Sequence, residues 1–272
     1  MKRVKVLVIY LLIFGCFLET SYAVEVKEED NFIIIKTVNY EVWWKKSASM
    51  GYAKVILPEC PESLIGSAER TFYHASDYVG GWKYWGALED FKILRDEKKR
   101  VVLKFKTRDT QRGGCFEYTL IATYSDITPY IKHQVSVENV EKRENLGWPC
   151  SGYDPMLEPH VPILGKKAWK DPIPHCAYWT DCGFGALYTK SPGRAKLGDW
   201  RGEGDMIQLD HDLFIKLVNP KETSDTIVYW VAFGKGGEKE AHELAQVILE
   251  EPEPRVVTPL NKITLTWGDI KK

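Results

Sequence analysis

The chain has 272 residues, 37 Lys and Arg against 38 Asp and Glu for a formal charge of −1, and 44% apolar residues. That balance excludes a basic nucleic-acid binder, because the cations alternate with apolar residues along the chain instead of clustering on one face or helix. No Ser/Gly/Pro linker or low-complexity tract divides residues 24–272, so a single domain is expected there.

Residues 1–23, MKRVKVLVIYLLIFGCFLETSYA, read as a signal peptide. Lys2, Arg3 and Lys5 form the positive end, Val6 to Leu18 the apolar run, and Ser21-Tyr22-Ala23 a small-x-small cleavage site. The run is shorter than the roughly 20 residues that span a bilayer as a helix. Cys16 after Gly15 offers a second processing route, lipid attachment at the cell envelope. Either route predicts a secreted, periplasmic or envelope protein. Without Lys2, Arg3, Lys5 and Glu19, 34 basic residues face 37 acidic ones, so the mature chain is mildly acidic.

Period-two patterning dominates the first half. Strands are expected over 32–36, 39–46 and 53–57, then over 88–95 and 100–107 around the charged hairpin loop at 96–99. The clearest pair is 115–124 with 129–140. There Ile131, His133, Val135 and Val137 share one face, and Lys132, Gln134, Ser136 and Glu138 the other. His133 is therefore expected as a buried, satisfied imidazole. Residues 147–211 break the pattern, mixing Pro, Gly, Trp and His, with short strands expected only at 176–180 and 184–189. Such an ordered insertion on a rigid scaffold is where binding groups are sought. Strands are expected again at 212–218, 226–233 and 262–267. One helix is expected at 238–250, where Ala241, Leu244, Ala245 and Ile248 follow i, i+3, i+4, i+7 spacing.

After signal cleavage Cys60, Cys115, Cys150, Cys176 and Cys182 remain. Export favours disulfides over a metal module, for which no CxxC spacing exists. Two bridges and one free thiol are expected, with at least one bridge inside the region of Cys150, Cys176 and Cys182.

This pattern describes an all-β, mainly antiparallel fold: a large two-sheet β-sandwich or supersandwich with a long Pro/Gly-rich insertion and one late α-helix. The succession RVVLKFKTRD, FEYTLIATYSD and PYIKHQVSVENV, with the insertion and the late GKGGEKEAHELAQ helix, resembles the galactose mutarotase-like supersandwich. That scaffold is shared by aldose 1-epimerases and by domains of polysaccharide lyases and glycoside hydrolases. The resemblance implies an exported carbohydrate-interacting protein. An epimerase-like reaction would pair a carboxylate base with a His acid at the anomeric hydroxyl and ring oxygen. A lyase-like one would neutralise a uronate with Arg or His and abstract the C5 proton with Tyr or His.

The candidate catalytic residues are His160 and His175, loop histidines pinned by neighbouring prolines, with Glu203 and Asp205, which share one face of an extended backbone. Arg201, Trp200, Trp179, Tyr153 and Trp148 from the insertion, with Arg70 and His74 upstream, are the candidate sugar-binding groups: aromatic faces for C–H stacking and cations for a substrate carboxylate. No transition-metal site is expected. A calcium reading would use the hard oxygens of Asp199, Glu203, Asp205, Asp210 and Asp212, without EF-hand spacing. The other classes are a non-catalytic sugar-binding or structural envelope module, and an assembly protein that offers an open sheet edge.

Overall fold

The computed structural model describes residues 24–66, 75–78, 81–109, 116–140, 148–150, 154–198, 204–211, 216–218 and 220–252. The expected signal segment and the strand expected at 262–267 lie outside them. In chain order the strands are β1 (Glu25–Glu28), β2 (Phe32–Lys36), β3 (Glu41–Lys45), β4 (Gly51–Ile56), β5 (Ala75–Tyr78), β6 (Gly81–Glu97), β7 (Arg100–Asp109), β8 (Phe116–Ser125) and β9 (Tyr130–Asn139). They continue with β10 (Trp148–Cys150), β11 (Met156–Leu157), β12 (Gly165–Trp169), β13 (His175–Trp179), β14 (Phe184–Thr189), β15 (Arg194–Leu197), β16 (Ile207–Asp210), β17 (Lys216–Val218) and β18 (Ile227–Gly234). The chain closes its described part with α1 (Glu238–Glu250).

Alternation in β2, β3, β8 and β9 sends every second side chain inward, and the paired strands are antiparallel throughout. The main sheet has nine strands in the order β12-β13-β14-β18-β9-β8-β7-β6-β5, and β1 to β4 form a four-stranded meander. Ile33, Ile35, Val42 and Trp44 of the meander meet Leu103, Phe105, Leu120 and Val135 of the nine-stranded sheet in one core. This is the all-β, two-sheet packing expected from the pattern. The helix covers the opposite face of the large sheet, burying Ala241, Ala245 and Ile248 against Ala177, Ala186, Tyr188 and Trp230.

The insertion differs from expectation. Among the described residues of 147–211 it holds seven strands, β10 to β16, and β12 to β14 complete one flank of the large sheet. Alternation is hidden there because β14 is buried on both faces, between the core and the helix. Such a strand reads as continuous apolar sequence with no period of two.

A polar chain crosses the sandwich inside this core. The Trp44 indole N–H donates to the Tyr124 hydroxyl, and Tyr124 is hydrogen-bonded to Tyr52. Tyr52 Oη lies 2.8 Å from His133 Nε2, and His133 Nδ1 lies 2.7 Å from Tyr229 Oη. His133 is therefore the buried, satisfied imidazole that its place on the apolar face predicts.

The C-terminal end of α1 is clamped by Glu251. Trp230 Nε1 donates to Glu251 Oε2 at 2.6 Å, Lys132 Nζ sits 3.3 Å from Oε1, and Lys190 Nζ donates to the Glu251 carbonyl at 2.6 Å. Both ammonium groups also stand over the Trp230 ring, 5.2 and 5.5 Å from its centroid. Lys132 is 8% exposed, so losing its partner leaves an uncompensated cation in the interface. We expect Glu251→Ala to lower the unfolding free energy by about 2–3 kcal/mol in urea titrations, with Glu251→Gln recovering part of it through the Trp230 bond.

Candidate functional site

The described candidates divide between the two sides of the large sheet. Within β13 the side chains alternate. Tyr178 and Cys176 enter the sandwich core, whereas Ala177 packs in the cluster beneath α1. His175, two residues before Ala177, is on the helix side. It is fully buried, with Nδ1 2.7 Å from the Ile173 carbonyl and Nε2 3.0 Å from His242 Nδ1. Burial lowers its pKa to about 4. Trp179 is on the same side, partly buried against the helix cluster. A Cβ at Gly165 would stand 2.5 Å from the Trp179 ring, so a glycine is what lets that indole lie flat on β12.

On the core side, Tyr178 reaches across to donate to the Leu64 carbonyl at 2.8 Å. The segment it holds, residues 61–66, is bridged to the chain around His160. Ile65 pairs with Pro159, Gly66 N–H donates to the Glu158 carbonyl at 3.1 Å, and His160 N–H to the Leu64 carbonyl at 3.4 Å. The result is a cleft of about 560 Å³ lined by Lys54, Glu62, Ser63, Ile65, His160 and Pro162, among others. His160 is exposed at its mouth, and Glu62 is exposed too. Ser63 holds the wall: its Oγ accepts from Val55 N–H at 3.1 Å and donates to the Ile65 carbonyl at 2.6 Å. The Cys60–Cys182 disulfide and Pro61 fix the start of this segment.

Lys54 links the cleft to the outer face of the meander. Its ammonium stands 5.3 Å from the centroid of Trp43, which meets Phe32 edge-on at 5.4 Å. The Trp43 indole N–H donates to Glu41 at 2.6 Å. Trp43 and Phe32 are only partly buried. An aromatic surface thus adjoins a cleft that carries an imidazole, a carboxylate and an ammonium, a set suited to a hydroxylated ligand with apolar C–H faces.

No hydrogen bond, ion pair or ring contact joins His160, His175 and Asp205. His160 and His175 lie on opposite sides of the large sheet. Asp205 is exposed beside Gly204, 3.5 Å from Lys166 Nζ. Glu203, Arg201, Trp200, Tyr153, Arg70 and His74 lie outside the described residues; Trp148 lies in β10, opposite Val218 of β17. Of the calcium candidates, Asp210 is buried and already neutralised by Arg194 Nε at 2.8 Å and by Lys196. Among the described residues no group of three or more His, Cys, Asp or Glu is placed to hold a metal ion.

The cysteine pairing differs from expectation. Cys182 bonds Cys60, 122 residues away, and Cys176 is a free buried thiol, so no bridge joins two of Cys150, Cys176 and Cys182. Strand alternation is the reason: Cys176 points into the core, its Sγ 3.3 Å from the Gln208 carbonyl, while Cys182 sits in the β13–β14 turn facing the loop after β4. The cleft residues Glu62 and Lys54, and Trp43 beside it, were missed in the sequence. The available signals were the Pro-Glu-Cys-Pro-Glu-Ser run at 58–63 and the double Trp of NYEVWWKK, where one indole of the pair must face outward.

No family model matches the chain, and no curated protein matches it. Solved structures similar to it include a YidC insertase with its first transmembrane domain resolved, 11% identical with a TM-score of 0.48, over 90% of this chain and 49% of that one. A GH36 α-galactosidase from Geobacillus stearothermophilus is 8% identical, with a TM-score of 0.48 over 78% of this chain and 41% of that one. A galactose mutarotase-related enzyme from Lactobacillus acidophilus is 8% identical, with a TM-score of 0.41 over 79% of this chain and 98% of that one. The chain spans less than half the length of the first two. Among the described residues no helix is long and apolar enough to cross a membrane.

Proposed function

We propose that this is an exported carbohydrate-binding protein whose ligand occupies the His160 cleft and stacks on the aromatic face at Trp43. The observation that carries the reading is the convergence of His160, Glu62 and Lys54 on one open cleft beside an outward-facing indole. Glu62 accepts from sugar hydroxyls, Lys54 and His160 donate to them, and Trp43 takes the C–H face. The export signal and a disulfide, which an oxidising compartment maintains, support an extracellular or envelope address.

A second reading is proton transfer on the same ligand, epimerase- or lyase-like. It is supported by an imidazole and a carboxylate lining the same cleft, the pairing that such chemistry needs. Here Glu62 takes the part that Glu203 and Asp205 were expected to play.

A glycan array with neutral and acidic polysaccharides, followed by calorimetry on the best binder, tests both readings. Trp43→Ala and His160→Ala are each expected to weaken binding at least tenfold, and Trp179→Phe to leave it unchanged. Turnover by reducing-end or unsaturated-product assay, lost in Glu62→Gln with binding retained, selects the enzyme. No binding across the array overturns the carbohydrate reading.

A further inference from the structure

A second cleft, of about 390 Å³, lies on the helix side of the large sheet, where the β6–β7 and β8–β9 turns meet the end of α1. Strand alternation builds its floor. Because Val101, Ala122, Tyr124 and Ile131 point into the sandwich core, Arg100, Thr123, Ser125, Tyr130 and Lys132 line the opposite face. Pairing sets Arg100 beside Ser125 and Thr123 beside Lys132. The two turns are tied together by the Asp126 N–H, which donates to the Lys99 carbonyl at 3.0 Å. Donors exceed acceptors in this cleft. Of its two carboxylates, Glu97 pairs with Arg95 at 3.6 Å, and Glu251 holds both Lys132 and the Trp230 indole. The Glu251 carbonyl, at the negative end of α1, accepts from Lys190. Lys99 and Arg100 line the cleft, are exposed, and make no ion pair with another described residue. Tyr130 is only 8% exposed, yet its hydroxyl makes no hydrogen bond among the described residues. Burial and the nearby Glu251 push its pKa up to about 12, so it stays an O–H donor. The Ser125 Oγ accepts from the Ile127 N–H at 3.0 Å, which leaves its own hydrogen to donate.

We propose that this cleft binds a hydroxyl-bearing oxyanion, the chemistry shared by sugar acids and sugar phosphates, with the anionic group on Arg100 and Lys99 and the Tyr130 and Ser125 hydroxyls donating to ligand oxygens. A guanidinium presents the forked donor pair that matches a carboxylate or phosphate, and the neighbouring ammonium adds a point charge. With both carboxylates of the cleft already paired, its spare charge is positive and a neutral ligand leaves it unanswered. A buried hydroxyl without a protein partner is a donor held ready for a ligand atom. The site is separate from the His160 cleft and stands whether or not a sugar binds there.

The test is calorimetric titration of the purified protein with D-glucuronate, glucose 6-phosphate and glucose. The expected result is one-to-one binding of at least one of the two acids, with glucose at least tenfold weaker; the tighter acid tells a carboxylate ligand from a phosphate one. Binding falls as NaCl is raised, because the two cations are exposed. A Lys99→Gln, Arg100→Gln double variant weakens the acid at least tenfold. Tyr130→Phe weakens it at least fivefold without moving the urea midpoint, since that hydroxyl has no protein bond to lose. His160→Ala leaves acid binding intact, which separates this site from the one proposed above. The proposal is overturned if neither acid binds at millimolar concentrations, if glucose binds as well as the acids, or if acid binding survives in the double variant.

Discussion

Replacing His133 with leucine is expected to lower the unfolding free energy by about 3–5 kcal/mol, measured in urea. The imidazole is the junction between Tyr52 on the meander and Tyr229 on the large sheet. Leucine fills much of the volume but takes from each of these two buried hydroxyls its bond to the imidazole, a loss of about 1–3 kcal/mol apiece. A Tyr52→Phe change in the leucine background should cost less than in the wild type, because the hydroxyl it removes has already lost its bond to His133 and retains the one to Tyr124. Equal costs in the two backgrounds would show that the network carries no coupled energy.

The same residue makes the fold acid-sensitive. Burial lowers the His133 pKa to about 3 and that of His175 to about 4, against an ordinary value near 6.5. The unfolded chain therefore takes up these two protons first as pH falls. Stability is greatest above pH 6.5 and is lost progressively as pH drops towards 4 and then 3. Each histidine is expected to remove about 2 kcal/mol between pH 7 and pH 5. The leucine variant should lose its share of that slope, so its stability deficit narrows on acidification.

Removing the Cys60–Cys182 bridge is the second large effect. It closes a loop of 122 residues and ties the segment after β4 to the β13–β14 turn. By loop-closure entropy such a bridge contributes about 5 kcal/mol, and it also holds the wall of the His160 cleft. A Cys60→Ala, Cys182→Ala double variant is expected to unfold at markedly lower urea, and a reductant to shift the wild type to the same midpoint without affecting the variant. Cys176 should not respond to thiol reagents in the folded protein, since it is buried and its thiol pKa is pushed up to about 12. A wild type indifferent to reductant would overturn the stabilising role.

Legibility in the sequence followed the number of faces that each element buries. Strands β2, β8 and β9 have one face in the core, so period two placed them within a residue or two, and His133 with them. Helix α1 was readable to its ends. Its apolar spacing is regular, and Glu240 accepts the Gly237 N–H at 2.8 Å as an N-terminal cap. In 147–211, by contrast, strands buried on both sides or as short as β11 carry no period, and proline and glycine were read as loop. His160 stands out in the sequence as a histidine beside prolines, but the carboxylate that lines its cleft is not nearby in the chain. That carboxylate is Glu62, about a hundred residues upstream and brought to the same cleft by the bridge of Ile65 to Pro159.

The sequence by itself determined the class of fold, the helix, the buried imidazole of β9 and the expectation of export, because each rests on local periodicity or a contiguous segment. Only the tertiary structure decided which side of the large sheet each histidine occupies, which cysteines meet, and which carboxylate lines the cleft with His160. Those outcomes depend on strand alternation and on the order in which strands pair, and a one-residue change of register would exchange every face.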